Sequence, residues 1–72
     1  MFKVGDIISW SDKIQGEQYD YIGLIIEDCN NGIFEVQPLS PQFIEQVKRI
    51  GDETIRLKPT GFTTRAEWRK LC

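Results

Sequence analysis

Residues 21–37 read Y-I-G-L-I-I-E-D-C-N-N-G-I-F-E-V-Q, and this stretch decides the fold of the chain. Apolar residues alternate along two β-rich segments, at Ile22, Leu24 and Ile26 in the first and at Phe34 and Val36 in the second. Such alternation places the members of each set on one face of a strand. Between the segments stand Asn31 and Gly32, which both tolerate the positive φ of a type I′ turn. The stretch therefore predicts a β-hairpin.

Another strand is predicted before the hairpin, with an irregular segment between the two. Residues 4–10 read V-G-D-I-I-S-W and are rich in β-branched and aromatic residues. By the strand period of two, Ile8 and Trp10 fall on one face. Residues 11–21 are mostly polar and contain Gly16. We therefore expect a long loop over residues 11–21.

A helix is predicted after the hairpin, over residues 41–50. Pro38 cannot donate to a strand ladder and ends the preceding strand. Ser40 and Pro41 are typical of an N-cap and a first helical position, and Gly51 is typical of the position after a helix. Apolar residues recur within this segment at the spacing of one helical face: Phe43, Val47 and Ile50.

The remaining residues predict a short strand and a final helix. Residues 54–58 alternate apolar and polar side chains, and Pro59 then ends the strand. Thr64 and Glu67 have the spacing of a capping box, which opens a helix running through Leu71. The chain is thus expected to be mainly β with short helices, in the order β-β-β-α-β-α, around an antiparallel sheet.

Length and composition limit the classes of function. A chain of 72 residues and 8.4 kDa forms one small domain with a modest core, which we expect to extend over residues 1–72. Histidine is absent, which removes the most frequent general base and metal ligand. Cys29 and Cys72 are too few for a disulfide framework or a zinc site, and we expect both to be free thiols. The sequence therefore predicts a protein without enzymatic activity, cofactor or metal.

The two halves of the chain differ in charge. Residues 1–39 contain two basic and seven acidic residues, whereas residues 40–72 contain seven basic and four acidic residues. The interpretation without a functional role is that the acidic and basic parts attract each other or face solvent. The alternative is a basic surface that meets an acidic partner.

Two segments resemble a known group of small domains. Val4-Gly5-Asp6-Ile7-Ile8-Ser9-Trp10 is similar to the opening strand of SH3-like barrels, and residues 22–27 followed by residues 33–36 look like their central hairpin. The resemblance covers residues 3–38. The group includes KOW modules, Tudor-type modules and short bacteriophage proteins. It implies a partly open antiparallel barrel. It also implies binding of peptides, nucleic acid or larger assemblies rather than catalysis.

Candidate protein-binding residues follow from this resemblance. In SH3-like modules the first long loop and the neighbouring strand form a ligand groove with exposed aromatic and acidic side chains. In this sequence the corresponding residues are Trp10, Tyr19, Asp20 and Tyr21. The competing interpretation is that the rings of Trp10 and Tyr21 complete the core, with only their polar ends in water.

A second candidate surface is basic and lies in the last third of the chain. Its residues are Arg56, Lys58, Arg65, Trp68, Arg69 and Lys70. Arginine beside aromatic rings is typical of proteins that bind single-stranded nucleic acid. The isoelectric point near 5.0 opposes this reading, because nucleic-acid-binding domains are usually basic.

Together these observations predict a non-enzymatic protein-interaction module, or a small subunit of a larger assembly such as a phage particle. The alternative is a KOW-like protein that binds nucleic acid through its basic C-terminal third. The longest apolar run, Ile22–Ile26, is far shorter than a membrane span, and no signal peptide is visible. We therefore expect no membrane partner and a cytoplasmic location, or the host cytoplasm or virion for a phage-encoded chain.

Overall fold

The computed structural model of the chain describes residues 2–59 and 67–71. Its elements follow the order β1 (Ile7–Ile14), β2 (Glu17–Asp28), β3 (Phe34–Pro38), α1 (Pro41–Arg49), β4 (Ile55–Leu57) and β5 (Arg69–Lys70). The strands form one antiparallel sheet in the order β4-β3-β2-β1-β5. The prediction of a mainly β fold around an antiparallel sheet is therefore confirmed.

The β2–β3 hairpin has the turn that its sequence predicts. Asn31 and Gly32 have φ of 57° and 74°, and the Ile33 amide donates to the Asn30 carbonyl at 3.1 Å. Asn30 also has a positive φ of 69°, which lengthens the connection beyond two residues. The Cys29 amide donates to the Ile33 carbonyl at 2.9 Å and closes the turn.

The predicted loop over residues 11–21 was wrong. β1 continues to Ile14 and β2 begins at Glu17, so only Gln15 and Gly16 connect them. Both have positive φ, 52° and 82°, which matches the right-handed twist of the flanking strands. The polar residues on either side form a two-stranded arm, in which Ser11 lies opposite Asp20. Polarity suggested a loop here because most side chains of the arm face water.

Helix α1 begins at the predicted residue and ends at Arg49, one residue before the predicted end, with Ile50 as its C-cap. Ser40 is the N-cap, Pro41 is the first helical residue, and Gly51 follows with a φ of 83°. The Ser40 hydroxyl does not cap the helix, but accepts a hydrogen bond from the Ile22 amide at 3.0 Å and so ties the helix start to β2. Phe43 is fully buried in the core, as is Val47, whereas Ile50 is exposed.

The short strand predicted at residues 54–58 is confirmed as β4, but the final helix was wrong over residues 67–71. Arg69 and Lys70 form β5, which pairs with Ser9 and Ile8 of β1. The Leu71 amide continues this ladder by donating to the Ile7 carbonyl at 2.8 Å. The indole of Trp68 lies in the core, and its burial selects the extended backbone over the helix. Three residues that the sequence predictions name lie outside the described residues: Thr64, Arg65 and Cys72.

Stacked aromatic rings occupy the centre of the core. The Trp10 indole stacks on the Tyr21 ring at 5.1 Å between centroids and on the Trp68 indole at 5.7 Å. Phe43 of the helix meets Trp10 edge to face at 5.2 Å. Phe2 meets Trp68 in the same way at 5.4 Å, which brings the two ends of the described chain together. The remaining buried apolar residues surround these rings: Ile8, Ile25, Phe34, Val36, Val47 and Leu57.

Gly23 allows the helix to approach the sheet closely. A Cβ atom at this position would lie 2.5 Å from Val36 Cγ1 and 3.1 Å from Phe43 Cε2. Val36 and Phe43 are both fully buried, so neither side chain has free space into which it can move.

We therefore expect Gly23→Ala to lower the free energy of unfolding by about 1–3 kcal/mol, because the added methyl group overpacks the core. Urea unfolding followed by circular dichroism measures this loss. Adding Val36→Ala removes the clashing methyl groups, so the double variant should lose about 1 kcal/mol less than the sum of the single losses. Strictly additive losses would contradict the proposed clash.

Candidate functional site

The structure separates the four residues predicted to bind a protein partner. Trp10 and Tyr21 are core residues with exposed fractions of 3% and 0%. Both rings therefore complete the core, as the competing interpretation predicts. The Tyr21 hydroxyl donates to Gln46 Oε1 of the helix at 3.1 Å, and burial raises the pKa of Tyr21.

Tyr19 and Asp20 are adjacent in sequence and point to opposite faces of β2. Tyr19 is half-buried on the core side, and its hydroxyl donates to Glu17 Oε2 at 2.8 Å, which raises the pKa of Tyr19. Asp20 is exposed on the other face and accepts hydrogen bonds from Ser11 Oγ at 2.7 Å and Gln18 Nε2 at 3.2 Å. These two bonds lower the pKa of Asp20, the Ser11 bond having the larger effect.

A shallow groove of about 200 Å³ lies where Tyr19 meets the helix. Its other lining residues are all polar or charged members of α1: Gln42, Glu45, Gln46 and Arg49. Arg49 donates to Glu45 Oε1 at 2.8 Å within the helix, so these two charged residues of the groove are paired with each other. Tyr19 is thus accessible at a groove edge, but without the neighbouring Trp10 and Tyr21 rings that an aromatic recognition surface requires.

The predicted basic surface is divided between ion pairs, the core and the solvent. Arg56 Nε lies 3.1 Å from Glu35 Oε1, and Lys70 Nζ lies 3.3 Å from Asp6 Oδ2. The indole of Trp68 is buried, so it cannot stack on a nucleic-acid base in this conformation. Lys58 and Arg69 are exposed, and Arg65 lies outside the described residues. The basic residues therefore do not form one continuous arginine-and-ring platform within the described chain.

Glu35 joins β3 to β4 through two charge-assisted hydrogen bonds. It accepts from Thr54 Oγ1 at 2.6 Å and from Arg56 Nε at 3.1 Å. Both bonds favour the ionised carboxylate, so the pKa of Glu35 lies below its ordinary value of 4.5, with Thr54 as the larger cause. Asp6 is similar, because the Lys3 amide and then Lys70 lower its pKa.

The outer face of the sheet, opposite the core and helix α1, carries an apolar surface that the sequence analysis did not identify. Its central row crosses three strands, since Leu71 follows β5 beside Ile7 of β1, and Ile7 lies opposite Leu24 of β2. Ile22 lies in the next row, opposite Ser9. We call Ile7, Ile22, Leu24 and Leu71 the aliphatic face. Ile22 and Leu71 are exposed by 37% and 49%, and Ile7 and Leu24 are half-buried.

The surroundings of the aliphatic face resemble the rim of a protein interface. Leu39 is exposed beside Ile22, to whose carbonyl its amide donates at 2.8 Å. Charged groups lie further out, with Arg69 on β5 opposite Ser9 and Asp20 on β2. Protein interfaces commonly have this arrangement, in which an apolar centre with few charges is surrounded by polar groups.

The signal for this face is present in the sequence. On β2 the inward residues are Tyr21, Gly23 and Ile25, and the outward residues Ile22 and Leu24 are equally apolar. A strand that is apolar on both faces is typical of sheets that are covered on both sides. Helix α1 covers only one side, as the close approach of Phe43 to position 23 shows. The alternation alone could not indicate which of the two apolar sets faces inward.

Residues 2–59 and 67–71 contain no metal-binding cluster and no membrane-spanning helix. In these ranges no three Cys, Asp or Glu side chains come together in a way that could hold a metal ion. Cys29 is a free thiol, as predicted. The described part of the chain also has no helix with the length and apolarity needed to cross a bilayer. Comparisons with protein-family models, with curated proteins and with solved structures found no match.

The position of Glu35 predicts an acid-sensitive contribution to stability. Because its pKa in the folded protein lies below 4.5, the contribution is complete above that pH. It is lost as the pH falls through the lower folded-state value. Thr54→Val removes the strongest donor and should raise the pKa of Glu35 towards 4.5. Carboxyl NMR titration measures the change.

Ser11→Ala is the matched control for this prediction. It also removes a hydroxyl that donates to a carboxylate, but the acceptor is Asp20 on the arm. The pKa of Glu35 should therefore stay unchanged in Ser11→Ala. An unchanged Glu35 titration in Thr54→Val would show that the Thr54 hydroxyl does not hold this carboxylate in solution.

Proposed function

We propose that the chain is a non-enzymatic protein-interaction module that acts as a small subunit of a larger assembly, such as a phage particle. The observation that carries the proposal is the aliphatic face, an exposed apolar cluster on a sheet whose other side is already covered. Contiguous apolar patches on small proteins are typical of interaction sites. The module docks by burying this face against an apolar surface of a protein partner.

Leaving the aliphatic face in water has an energetic cost. Burying one aliphatic side chain contributes about 1.5–3 kcal/mol relative to leaving it exposed. Helix α1 lies on the opposite side, where it buries Phe43 and Val47 against the inward face. No part of the described chain covers Ile22 and Leu71 in the same way, and both stay exposed. A partner that covers them supplies the missing layer.

In this proposal the partner is anchored by the aliphatic face, and not by the aromatic rings that were predicted from the sequence. Buried anchors at the centre of an interface carry most of its binding energy. The rings of Trp10 and Tyr21 are used inside the domain, where they stack on each other. Of the predicted residues, Asp20 lies on the same face of the sheet as Ile22 and belongs to the rim. Tyr19 is accessible only from the helix side.

We further propose that the sheet is a partly open SH3-like barrel. Supporting this are the consecutive antiparallel pairing of the first four strands and the return of β5 to the free edge of β1. The Trp68 amide donates to the Pro59 carbonyl at 3.1 Å, which connects the last segment to the end of β4. Helix α1, between β3 and β4, departs from the usual pattern of such barrels. Members of this group bind peptides, nucleic acid or larger assemblies, which is compatible with the proposed function.

KOW-like binding of nucleic acid is the alternative, and the exposed Lys58 and Arg69 favour it. The two are neighbours of Pro59 and Trp68, which the hydrogen bond above brings together. Nucleic-acid binding through these residues predicts an affinity that falls steeply with salt, because phosphate contacts release counterions. Docking through the aliphatic face predicts little dependence on salt.

Capture experiments from the cells that produce the chain separate the two functions. We expect Ile22→Lys to abolish capture of a protein partner, because a charge then replaces an apolar anchor, and nuclease treatment to have no effect. Ile50→Lys is the control, since Ile50 is also an exposed isoleucine, by 61% against 37% for Ile22, and it follows helix α1 on the other side of the sheet. Its capture should equal that of the wild type.

The opposite pattern would refute the proposed function. A complex that survives Ile22→Lys but is lost with nuclease or with charge reversal at Lys58 and Arg69 would establish nucleic-acid binding instead. Circular dichroism of each variant ensures that a loss of capture does not arise from unfolding. Ile22 is on the solvent side of the sheet, so its substitution should leave the fold intact.

A further inference from the structure

We propose that Asn31 is a site of spontaneous chemical modification, where the chain loses the side-chain amide whenever the turn between β2 and β3 opens. The reaction starts when the backbone nitrogen of Gly32 attacks Cγ of Asn31. Residue 32 has no side chain to hinder this attack, and both residues are exposed to water. The pair that forms the turn therefore also contains a reactive side chain.

The reaction needs only water as a co-reactant. The Gly32 nitrogen gives up its proton and forms a bond to Asn31 Cγ. The bond from Cγ to the side-chain nitrogen breaks, and ammonia leaves. Water then adds to one of the two carbonyl groups of the resulting succinimide ring and opens it. Position 31 becomes an aspartate or, when the ring opens at the other carbonyl, an isoaspartate with Cβ in its main chain.

The folded turn keeps the two reacting atoms apart. Asn31 and Gly32 have φ of 57° and 74°. The Ile33 amide donates to the Asn30 carbonyl across them at 3.1 Å, which completes a type I′ turn. At the first central position of this turn ψ is about +30°, so the next backbone nitrogen lies nearly opposite Cβ across the Cα–C bond. Ring closure needs both atoms on the same side of that bond, and the turn therefore has to open first.

Hydrogen bonds hold this turn closed. Besides the bond across the turn, the Cys29 amide donates to the Ile33 carbonyl at 2.9 Å. The Asn30 amide donates to Asp28 Oδ1 at 2.9 Å. The turn lies at the exposed end of the hairpin, where local opening does not require the core to unfold. The rate of modification is therefore the rate in an open chain multiplied by the fraction of molecules whose turn is open.

The two products affect the hairpin differently. Aspartate tolerates a positive φ, so it keeps the turn and adds a negative charge after Glu27 and Asp28. Isoaspartate lengthens the main chain by one carbon atom between the Asn30 carbonyl and the Ile33 amide. Their hydrogen bond cannot then close the same two-residue turn. The isoaspartate product therefore leaves the end of the hairpin open and marks molecules whose turn has opened before.

Incubation of the full chain in mildly alkaline buffer, followed by peptide mass spectrometry, measures the reaction. We expect Asn31 to react at least about tenfold more slowly than in a synthetic peptide of residues 27–35, which lacks the hydrogen bonds of the folded turn. Added urea should raise the rate in the chain to that of the peptide in the same urea concentration. Equal rates without urea would overturn the protection by the turn, and no reaction in urea would overturn the site itself.

Two controls identify the reacting pair. Asn30 belongs to the same turn, with a φ of 69°, but the side chain of the next residue hinders the attack, so Asn30 should stay unmodified. Asn31→Gln keeps an amide at position 31 but lengthens its side chain by one methylene group. The five-membered ring can no longer form, and the modification should be lost. Equal modification of Asn30, or of the variant, would contradict attack by the Gly32 nitrogen on Asn31.

The isoaspartate form, separated by chromatography and refolded, tests the effect on the hairpin. Hydrogen exchange of the Cys29 and Ile33 amides should be faster than in the unmodified chain, because their acceptors are displaced. The Ile25 amide is the control, since it donates to the Asp6 carbonyl at 3.0 Å far from the turn and should stay protected. Unchanged exchange at Cys29 and Ile33 would overturn the predicted opening of the hairpin end.

Discussion

The stacking of the Trp10 indole between Tyr21 and Trp68 is the interaction on which the rest of the fold depends. Trp10 belongs to β1, Tyr21 to β2 and Trp68 to the segment that leads into β5, so one ring connects three parts of the sheet. Phe43 adds the helix to the same cluster by an edge-to-face contact. A domain of this size has few core residues, and aromatic pairs contribute beyond their buried area. Trp10 therefore joins β1, β2, helix α1 and the segment before β5.

This aromatic core also explains why the surface that we propose to bind a partner lies elsewhere. The rings that look suited to bind a partner are needed inside, and the helix closes over them because position 23 has no side chain. Within residues 2–59 and 67–71, no second layer covers the outward side chains of β1 and β2. In the function we propose, a partner surface covers this side of the sheet.

The sequence predicted the parts of the fold that depend on local signals. The Asn31-Gly32 turn and the Ser40 helix start were predictable because the backbone conformation there depends on one or two residues. The Gln15-Gly16 turn was not, since glutamine rarely adopts a positive φ. The strand around Trp68 was missed because its long-range burial overrides a local helix signal. The outward position of Ile22 could not be predicted, because it depends on which side of the sheet the helix covers in the tertiary structure.

The contact between Phe2 and Trp68 makes the chain nearly ring-like in space, although it is linear in covalent structure. Residues at the two ends of the described chain lie side by side, and Lys70 adds to this junction with its ammonium group 5.8 Å from the centroid of the Phe2 ring. A short linker across this junction, with new termini at the exposed Gln15-Gly16 turn, would give a circular permutant with the same core. In that permutant the β1–β5 ladder becomes a local contact and the β1–β2 arm becomes the long-range one. The core of this domain therefore depends on which strands pair, and not on the order in which the strands are synthesised.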